Sequence, residues 1–551
     1  MKRNKLHIWK IILFVSILCL ATFLRLYKLD QIPPGVNRDE ASIGYTAYSL
    51  IETGKDEYGK PFPFSFQSFG DWKLPLYIYA TIPFVKIFGV TELAVRLPSA
   101  IAGIATVGLT FFLVEYLFSS TSLSFLSMAL LAVSPWHLHL SRVESESNLA
   151  VLFTVIGLLF FFRGIKKQPI FLIGSSLFFA LCYFAYHGNH VTTTLLLIGL
   201  IYIFRLSLPK TIHTAIAGII FVTLVGFILF QTLHQADKTK LSGISIFGNP
   251  AIIHEKIEIP RNQYSNPKSW NARLFHNRIT YALETITQNY LKSFAPKFLF
   301  ITGGTNHAHN IENFGNLYFI EAPFFYLGIV LLIFKKKDRK VQLLLWWLII
   351  APIAASITKD APHTNRMFAI YPLPPILIAL AIQKTLQAIS SKKNLWNIAI
   401  VSIAIAYIFN ISIYFDRYFI HFPQNEAQYW GYGYKQLAQV LQNPKTANKH
   451  IIISHPEYSP YIFLLFYMHY DPLSYQQKTN RYPPTDDAFV HVKNFDRFEF
   501  RSIDWTKDML LPNTILIDFS EDIPHDILLD KQNIKNITLP NSKFLLTIVE
   551  T

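Results

Sequence analysis

Apolar runs long enough to cross a lipid bilayer recur along most of this chain, and they restrict its fold more than any other feature. An α-helix rises 1.5 Å per residue, so spanning the ~30 Å hydrocarbon core takes roughly 20 apolar residues. Residues 11–26, 219–233 with their lead-in, and 343–357 belong to such runs. Across the 551 residues, 51% are hydrophobic and 15% charged, with 47 Phe and 28 Tyr. A soluble chain carries nearer a quarter charged residues, so an ordinary globular fold is excluded.

The runs predict about eleven spanning helices, near residues 8–27, 93–118, 122–139, 147–163, 169–187, 190–206, 211–233, 317–334, 341–358, 366–388 and 395–415. Lys and Arg collect in cytoplasmic loops and set orientation. With the N-terminus inside, the basic segments 163–167, 205–210, 335–340 and 392–393 all fall inside. The 335–340 cluster, Lys-Lys-Lys-Asp-Arg-Lys, is the strongest of these signals and demands an even number of preceding spans. That parity decides residues 74–90, an apolar but short stretch carrying Pro75, Pro83 and Lys86. Counting it as a span would invert the cluster, so it is read as an interfacial or re-entrant helix on the outer face.

Three regions then lie outside: a first loop at 28–92, a long loop at 234–316, and a tail from 416. The expected domains are therefore 1–415, a transmembrane catalytic domain carrying both loops, and 416–551, a small outer α/β domain. The tail mixes β-like runs at 450–454 and 514–518 with a helix-like stretch at 426–441, separated by turn residues. A net charge of +15 fits topogenic Lys and Arg, and no nucleic-acid partner is inferred. Cys19 and Cys182 sit inside apolar runs, which disfavours a disulfide or a cysteine metal site. The N-terminal run ends in Arg25-Leu26-Tyr27-Lys28 without a small-residue cleavage site, so it reads as an uncleaved first span.

The unusual polar clusters all fall on the outer side of this topology. Asn37-Arg38-Asp39-Glu40 follows the first helix; its carboxylates suit either a helix start or an acid–base centre. In Gly70-Asp71-Trp72-Lys73, either the charged pair Asp71 and Lys73 anchors the next helix at the headgroups, or Lys73 binds a lipid phosphate. His137 and His139, two residues apart, diverge on a helix and suit a chelate poorly. Just beyond them, Arg142 with Glu144 or Glu146 reads as an ion-pair network around a cavity. His187, among Tyr and His residues at an outer turn, is either a substrate contact or part of an aromatic belt. Arg366 is read as opening a spanning helix, where a charge needs a partner and a phosphate is a suitable one. The loop at 234–316 has a basic excess, including Lys238, Lys240, Lys256, Arg261, Lys268, Arg273, Arg278, Lys292 and Lys297. An anionic lipid surface or an anionic substrate would account for it.

The order Arg25-Leu26-Tyr27-Lys28-Leu29, Asp39-Glu40, Lys73-Leu74-Pro75-Leu76-Tyr77, Arg96-Leu97-Pro98-Ser99, Ser134-Pro135-Trp136 and Ser141-Arg142 resembles the membrane glycosyltransferases of the protein O-mannosyltransferase and aminoarabinose-transferase type. The resemblance runs from about Leu24 to Arg142 and continues mainly as architecture. It implies a C-type (GT-C) glycosyltransferase fold, mainly α, with a small C-terminal α/β domain. It implies a multi-pass protein, of the bacterial cell membrane, with its active site and C-terminal domain extracytoplasmic. The implied activity is a hexosyl transfer, mannosyltransferase-like, from a polyprenyl-phosphate-linked donor to a hydroxyl on a protein, lipid or glycan, with inversion.

Asp39 matches the acidic residue at the reaction centre of such enzymes, with Glu40 its neighbour, and Lys73 matches the basic residue on the donor phosphate. Family members often have Glu directly before this Lys; here Trp72 stands there, with Asp71 one residue earlier. No cofactor is required where Lys and Arg supply positive charge, although a carboxylate-bound divalent cation stays open. The competing readings are a surface-glycan ligase or polymerase, a transporter or flippase, and a non-catalytic scaffold. Reporter fusions within 335–340 are expected to report the inner face; an outer-face signal there would overturn the parity on which the outer site rests.

Overall fold

The computed structural model of the chain describes residues 2–235, 245–247, 250–485, 489–529 and 534–551, with residues 2–7, Asp71, Gln235 and Pro250 described by backbone alone. Lys238 and Lys240 of the basic loop lie outside the described residues. All eleven expected spans contain a helix. Among the described residues, seven helices are long and apolar enough to cross a membrane: Ile8–Leu26, Glu92–Phe118, Glu146–Lys166, Gly188–Ser207, Ile212–His234, Arg339–Ser356 and Lys393–Asn425. Thr121–Val133, Phe171–Ala185, Phe319–Phe334 and Leu373–Ala388 are apolar but run only 10–17 residues, so length alone assigns seven spans rather than eleven. The chain is an integral, multi-pass membrane protein.

Two boundaries differ from expectation for the same reason. The run at 122–139 breaks at Ser134, and a six-residue helix restarts at Pro135, which has no N–H to continue the earlier ladder. In the run at 366–388 a single 3-10 turn at Phe368–Ile370 comes first, and the α-helix starts only at Leu373, after Pro372, with further prolines at 374 and 375 in its first turn. Arg366 therefore lies in the preceding turn segment and does not open the helix.

The Cα framework divides into two compact units. The first comprises Met1–Tyr27, Ser99–Ser141 and Ser145–Tyr414 and contains most of the apolar helices. Its helices approach closely at small residues, as membrane helices do. On Ala322–Phe334, a Cβ built at Gly328 would meet the Leu377 carbonyl carbon at 2.8 Å. Within the same unit, Arg25 of α1 (Lys2–Leu26) is fully buried. Its guanidinium donates to the carbonyls of Ala21 and Ala132 at 3.2 and 3.1 Å and meets His137 Nδ1 at 2.8 Å. An intramembrane charge is tolerable only with such partners. His139 turns elsewhere, with Nε2 3.1 Å from the Ala308 carbonyl.

The second unit comprises Lys28–Pro98, Arg142–Glu144 and Phe415–Thr551. It begins with α2 (Arg38–Thr53), whose start is a capping box: Asn37 Oδ1 accepts from the Glu40 N–H at 2.9 Å, and Glu40 Oε2 accepts from the Asn37 N–H at 3.4 Å. A short hairpin follows, β1 (Phe66–Ser68) antiparallel to β2 (Asp71–Lys73). Phe69 and Gly70 both have positive φ at its turn, 59° and 93°, the backbone pattern of a two-residue I′ turn. Next come α3 (Pro75–Phe88), 14 residues long, and the start of α4 (Glu92–Phe118). At ~1.5 Å per residue α3 is too short to span a bilayer.

The rest of this unit combines short helices, among them Tyr432–Leu441, Pro460–Met468 and Pro472–Lys478, with a mixed sheet that has seven strands among the described residues. Its strands are β3 (His450–Ile453), β4 (Asn480–Arg481), β5 (Val492–Phe495), β6 (Phe498–Phe500), β7 (Thr514–Phe519), β8 (Ile534–Thr538) and β9 (Phe544–Glu550), in spatial order β4-β5-β6-β3-β7-β9-β8. Strand β3 runs parallel to both β6 and β7. The two expected β-runs are thus neighbours at the sheet centre, and their continuous apolar residues suit burial on both faces.

Gly328→Ala is expected to destabilise the protein by about 1–3 kcal/mol, because the facing atoms are backbone and cannot yield. Gly218→Ala, where a Cβ meets nothing within 4 Å, is expected to leave the melting temperature of the purified protein unchanged.

Candidate active site

Asp39 and Glu40 are adjacent in sequence and opposite in environment. Glu40 is fully buried, and Arg96 of α4 grips it bidentately, Nε to Oε1 at 3.0 Å and Nη2 to Oε2 at 2.9 Å. The same guanidinium donates to the carbonyls of Leu29, at 2.9 Å, Pro33, at 3.0 Å, and Gly35. Glu40 Oε1 also accepts from the backbone N–H of Glu144 at 3.0 Å. One buried ion pair thereby fixes the 29–35 turn, the start of α2 and the 142–144 segment.

Asp39 is the next residue toward solvent, with 52% of its side chain exposed, while the Lys73 side chain is 7% exposed. Lys73 Nζ donates to Asp39 Oδ1 at 2.5 Å. The hairpin makes this meeting possible: its register sets Lys73 opposite Phe66, and a 2.6 Å hydrogen bond between the Ser42 and Ser68 hydroxyls pins it to α2. A half-exposed carboxylate against a nearly buried ammonium combines a proton acceptor and a fixed positive charge in one place.

Arg142 is fully buried and donates to the carbonyls of Lys28, at 3.4 Å, and Ile32, at 3.2 Å. Its guanidinium carbon lies 5.4 and 5.3 Å from the ring centroids of Tyr418 and Phe419. It thus braces the same loop from another side. The backbone of Asp71 lies in β2, opposite Ser68.

The remaining expected residues belong to the first unit. Glu146 stands in the first turn of Glu146–Lys166. His187 precedes the helix Gly188–Phe204, its ring 5.4 Å from that of His190. Arg366 is ion-paired with Asp360 and donates to Thr358 Oγ1 at 2.8 Å.

Sequence reading passed over three residues that the second unit places in or around this site. Arg96 was visible as a charge at the head of a long apolar helix, the kind of residue that needs a partner. Glu57 is fully buried, accepts a 3.2 Å hydrogen bond from the Tyr461 hydroxyl, and is pushed up to about 7 by burial against the opposing pull of Arg481. Arg38 lies over the rings of Phe69 and Phe489. Arg38 stood in the Asn37-Arg38-Asp39-Glu40 cluster without a role of its own, and Glu57 carries no sequence signal beyond being a charged residue in a polar loop.

A dolichyl-phosphate-mannose-protein mannosyltransferase family model matches residues 73–233. No curated protein matches the chain. Among solved structures, ArnT from Cupriavidus metallidurans in the apo state aligns over 98% of this chain and 97% of its own, at 11% identity and a TM-score of 0.52. The same protein bound to undecaprenyl phosphate aligns over the same shares at 12% identity and a TM-score of 0.54. The chain has the GT-C glycosyltransferase fold. The Archaeoglobus fulgidus oligosaccharyltransferase tethered to an acceptor peptide aligns over 84% of this chain and 63% of its own, at 14% identity and a TM-score of 0.51. At these identities the likeness is one of fold, and within the GT-C fold the chain's own residues must carry the chemistry.

The contrast between the two carboxylates is testable without substrate. Glu40→Ala leaves Arg96 buried and without its carboxylate, at an expected cost of about 3–5 kcal/mol in thermal or denaturant unfolding. Asp39→Asn, at a half-exposed carboxylate that keeps an amide oxygen for Lys73, is expected to cost less, about 1 kcal/mol.

Proposed function

We propose that this protein is a membrane glycosyltransferase that moves a sugar, of mannosyl or related type, from a polyprenyl-phosphate-linked donor to an acceptor hydroxyl. The site is assigned to the extracytoplasmic face of a bacterial cell membrane. The observation that carries the reading is the Asp39–Lys73 pair on the first loop of a GT-C fold. The match of a mannosyltransferase family model from Lys73 onward supports it, as does the fold shared with an ArnT bound to undecaprenyl phosphate.

In this scheme the bond from the anomeric carbon to the donor phosphate oxygen breaks, and negative charge grows on the departing lipid phosphate. Lys73 Nζ, held in a nearly dry setting, stabilises that charge where it develops. The acceptor oxygen forms the new bond from the opposite face and gives its proton to Asp39 as general base. A single displacement inverts the anomeric configuration. The resting pair also imposes an order. Until a phosphate competes for Lys73, the Asp39 carboxylate stays neutralised and is a weak base. Donor binding loosens the pair and leaves Asp39 for the acceptor. Glu40 and Arg96 take no part in proton transfer; they hold the turn and helix that present Asp39. Phosphate is already a good leaving group, and no step is routed through a cofactor.

The test is sugar transfer by purified protein from a set of polyprenyl-phosphate sugars, wild type beside Asp39→Asn. Wild type is expected to turn over, and the variant to lose roughly 10²–10⁴-fold in kcat, the usual worth of a general base, while still binding donor. Equal turnover in both moves the base elsewhere.

A further inference from the structure

The cations nearest this site are already engaged. Lys73 is held by Asp39, Arg96 by Glu40 and three carbonyls, and Arg142 by two carbonyls. Arg38 is different. Its guanidinium carbon stands 4.8 Å from the Phe69 ring centroid and 5.8 Å from that of Phe489. Among the described residues the guanidinium has no carboxylate and no hydrogen-bond partner. Aromatic faces attract a cation through their quadrupole but accept little of its hydrogen-bonding capacity. A guanidinium held this way keeps a planar fork of N–H donors, the geometry that matches a phosphate.

Its position adds to the argument. Arg38 is the first residue of α2, directly before Asp39. Phe69 is in the turn of the hairpin that carries Lys73, and the Val490 N–H donates to the Phe69 carbonyl at 3.1 Å, fixing the neighbouring Phe489 against the same turn. Arg38 is also half-buried, which strengthens an ionic contact relative to open water. A charged side chain kept over two rings, with no anionic partner among the described residues while Lys73, Arg96 and Arg142 have theirs, is poised for an anion from outside.

We propose that Arg38 is a second anion-binding residue of the candidate site, and that it receives the phosphate of the lipid-linked donor. This rests on the transferase reading. Lys73 must be shared between Asp39 and the donor, whereas Arg38 offers its donors without breaking an existing pair. Arg38 would capture the phosphate first, and Lys73 would then exchange Asp39 for it.

The experiment measures binding of undecaprenyl phosphate, and of its unphosphorylated alcohol, to the detergent-solubilised full-length protein. If wild type binds the two lipids equally, the donor reading itself fails. Given a phosphate preference in wild type, Arg38→Gln is expected to weaken undecaprenyl phosphate by about tenfold or more, the scale of one charge-assisted hydrogen bond, and to leave the alcohol unchanged. Arg38→Lys, which keeps the charge but loses the fork, is expected to fall between them. Inorganic phosphate is expected to compete with the lipid on wild type and less on Arg38→Gln. An unchanged phosphate preference in Arg38→Gln overturns the inference, and so does an equal loss for both lipids, which marks a structural role. Should Arg38→Gln fail to fold, Phe489→Leu keeps the question answerable: it is expected to reduce the phosphate preference severalfold, and an unchanged preference overturns the inference.

Discussion

The buried pair between Arg96 and Glu40 is the interaction on which the candidate site depends. A guanidinium and a carboxylate taken out of water cost several kcal/mol each, and they are tolerated only when nearly every donor and acceptor is met. Here the guanidinium is spread over both oxygens of Glu40 and three backbone carbonyls, and Glu40 takes two further backbone N–H groups. Such a pair is weak evidence for net stability and stronger evidence for geometry. It specifies where the 29–35 turn, the start of α2 and the 142–144 segment lie, and with them the direction in which Asp39 leaves the helix.

Reactivity follows from that division of labour. Two carboxylates side by side would repel if both faced one site, and one would be driven to hold a proton. Burying Glu40 against Arg96 and leaving Asp39 at the surface against Lys73 avoids the conflict. It gives one acid a structural partner and the other a partner that a phosphate can displace. Arg142 uses the same device as Arg96 on the same loop, satisfying a buried charge with the carbonyls of Lys28 and Ile32. Arg25 repeats it inside a span. Loop carbonyls and helix-end carbonyls are the acceptors available where water is scarce, and the buried Arg25, Arg96 and Arg142 all draw on them.

Much of the architecture was legible beforehand because bilayer thickness and backbone hydrogen bonding act locally. A run of apolar residues must be a helix in lipid, and each expected span contains one. The misplaced boundaries fell at Ser134–Pro135 and before Leu373, where proline chemistry outweighs apolar periodicity. The central strands β3 and β7 were likewise visible as short β-branched apolar runs, while the edge strands β4 and β8, short and polar on one side, were not. For the site, Asp39 and Lys73 could be named from the residues and from family resemblance. Arg366 was read as opening a helix and stands instead in a turn, occupied by Asp360 and Thr358.

The sequence by itself determined that this chain is helical, apolar and many times spanning, and that an α/β domain follows its apolar helices. These follow from properties that each short segment carries alone: length, hydropathy, charge and turn chemistry. Only the tertiary structure decided which of two neighbouring carboxylates is buried, that Lys73 of a hairpin reaches Asp39 of a helix thirty-four residues earlier, and that Arg38 stands over two aromatic rings. Those outcomes depend on burial and on partners distant in the chain. A side chain's environment, unlike its identity, exists only once the chain has folded around it.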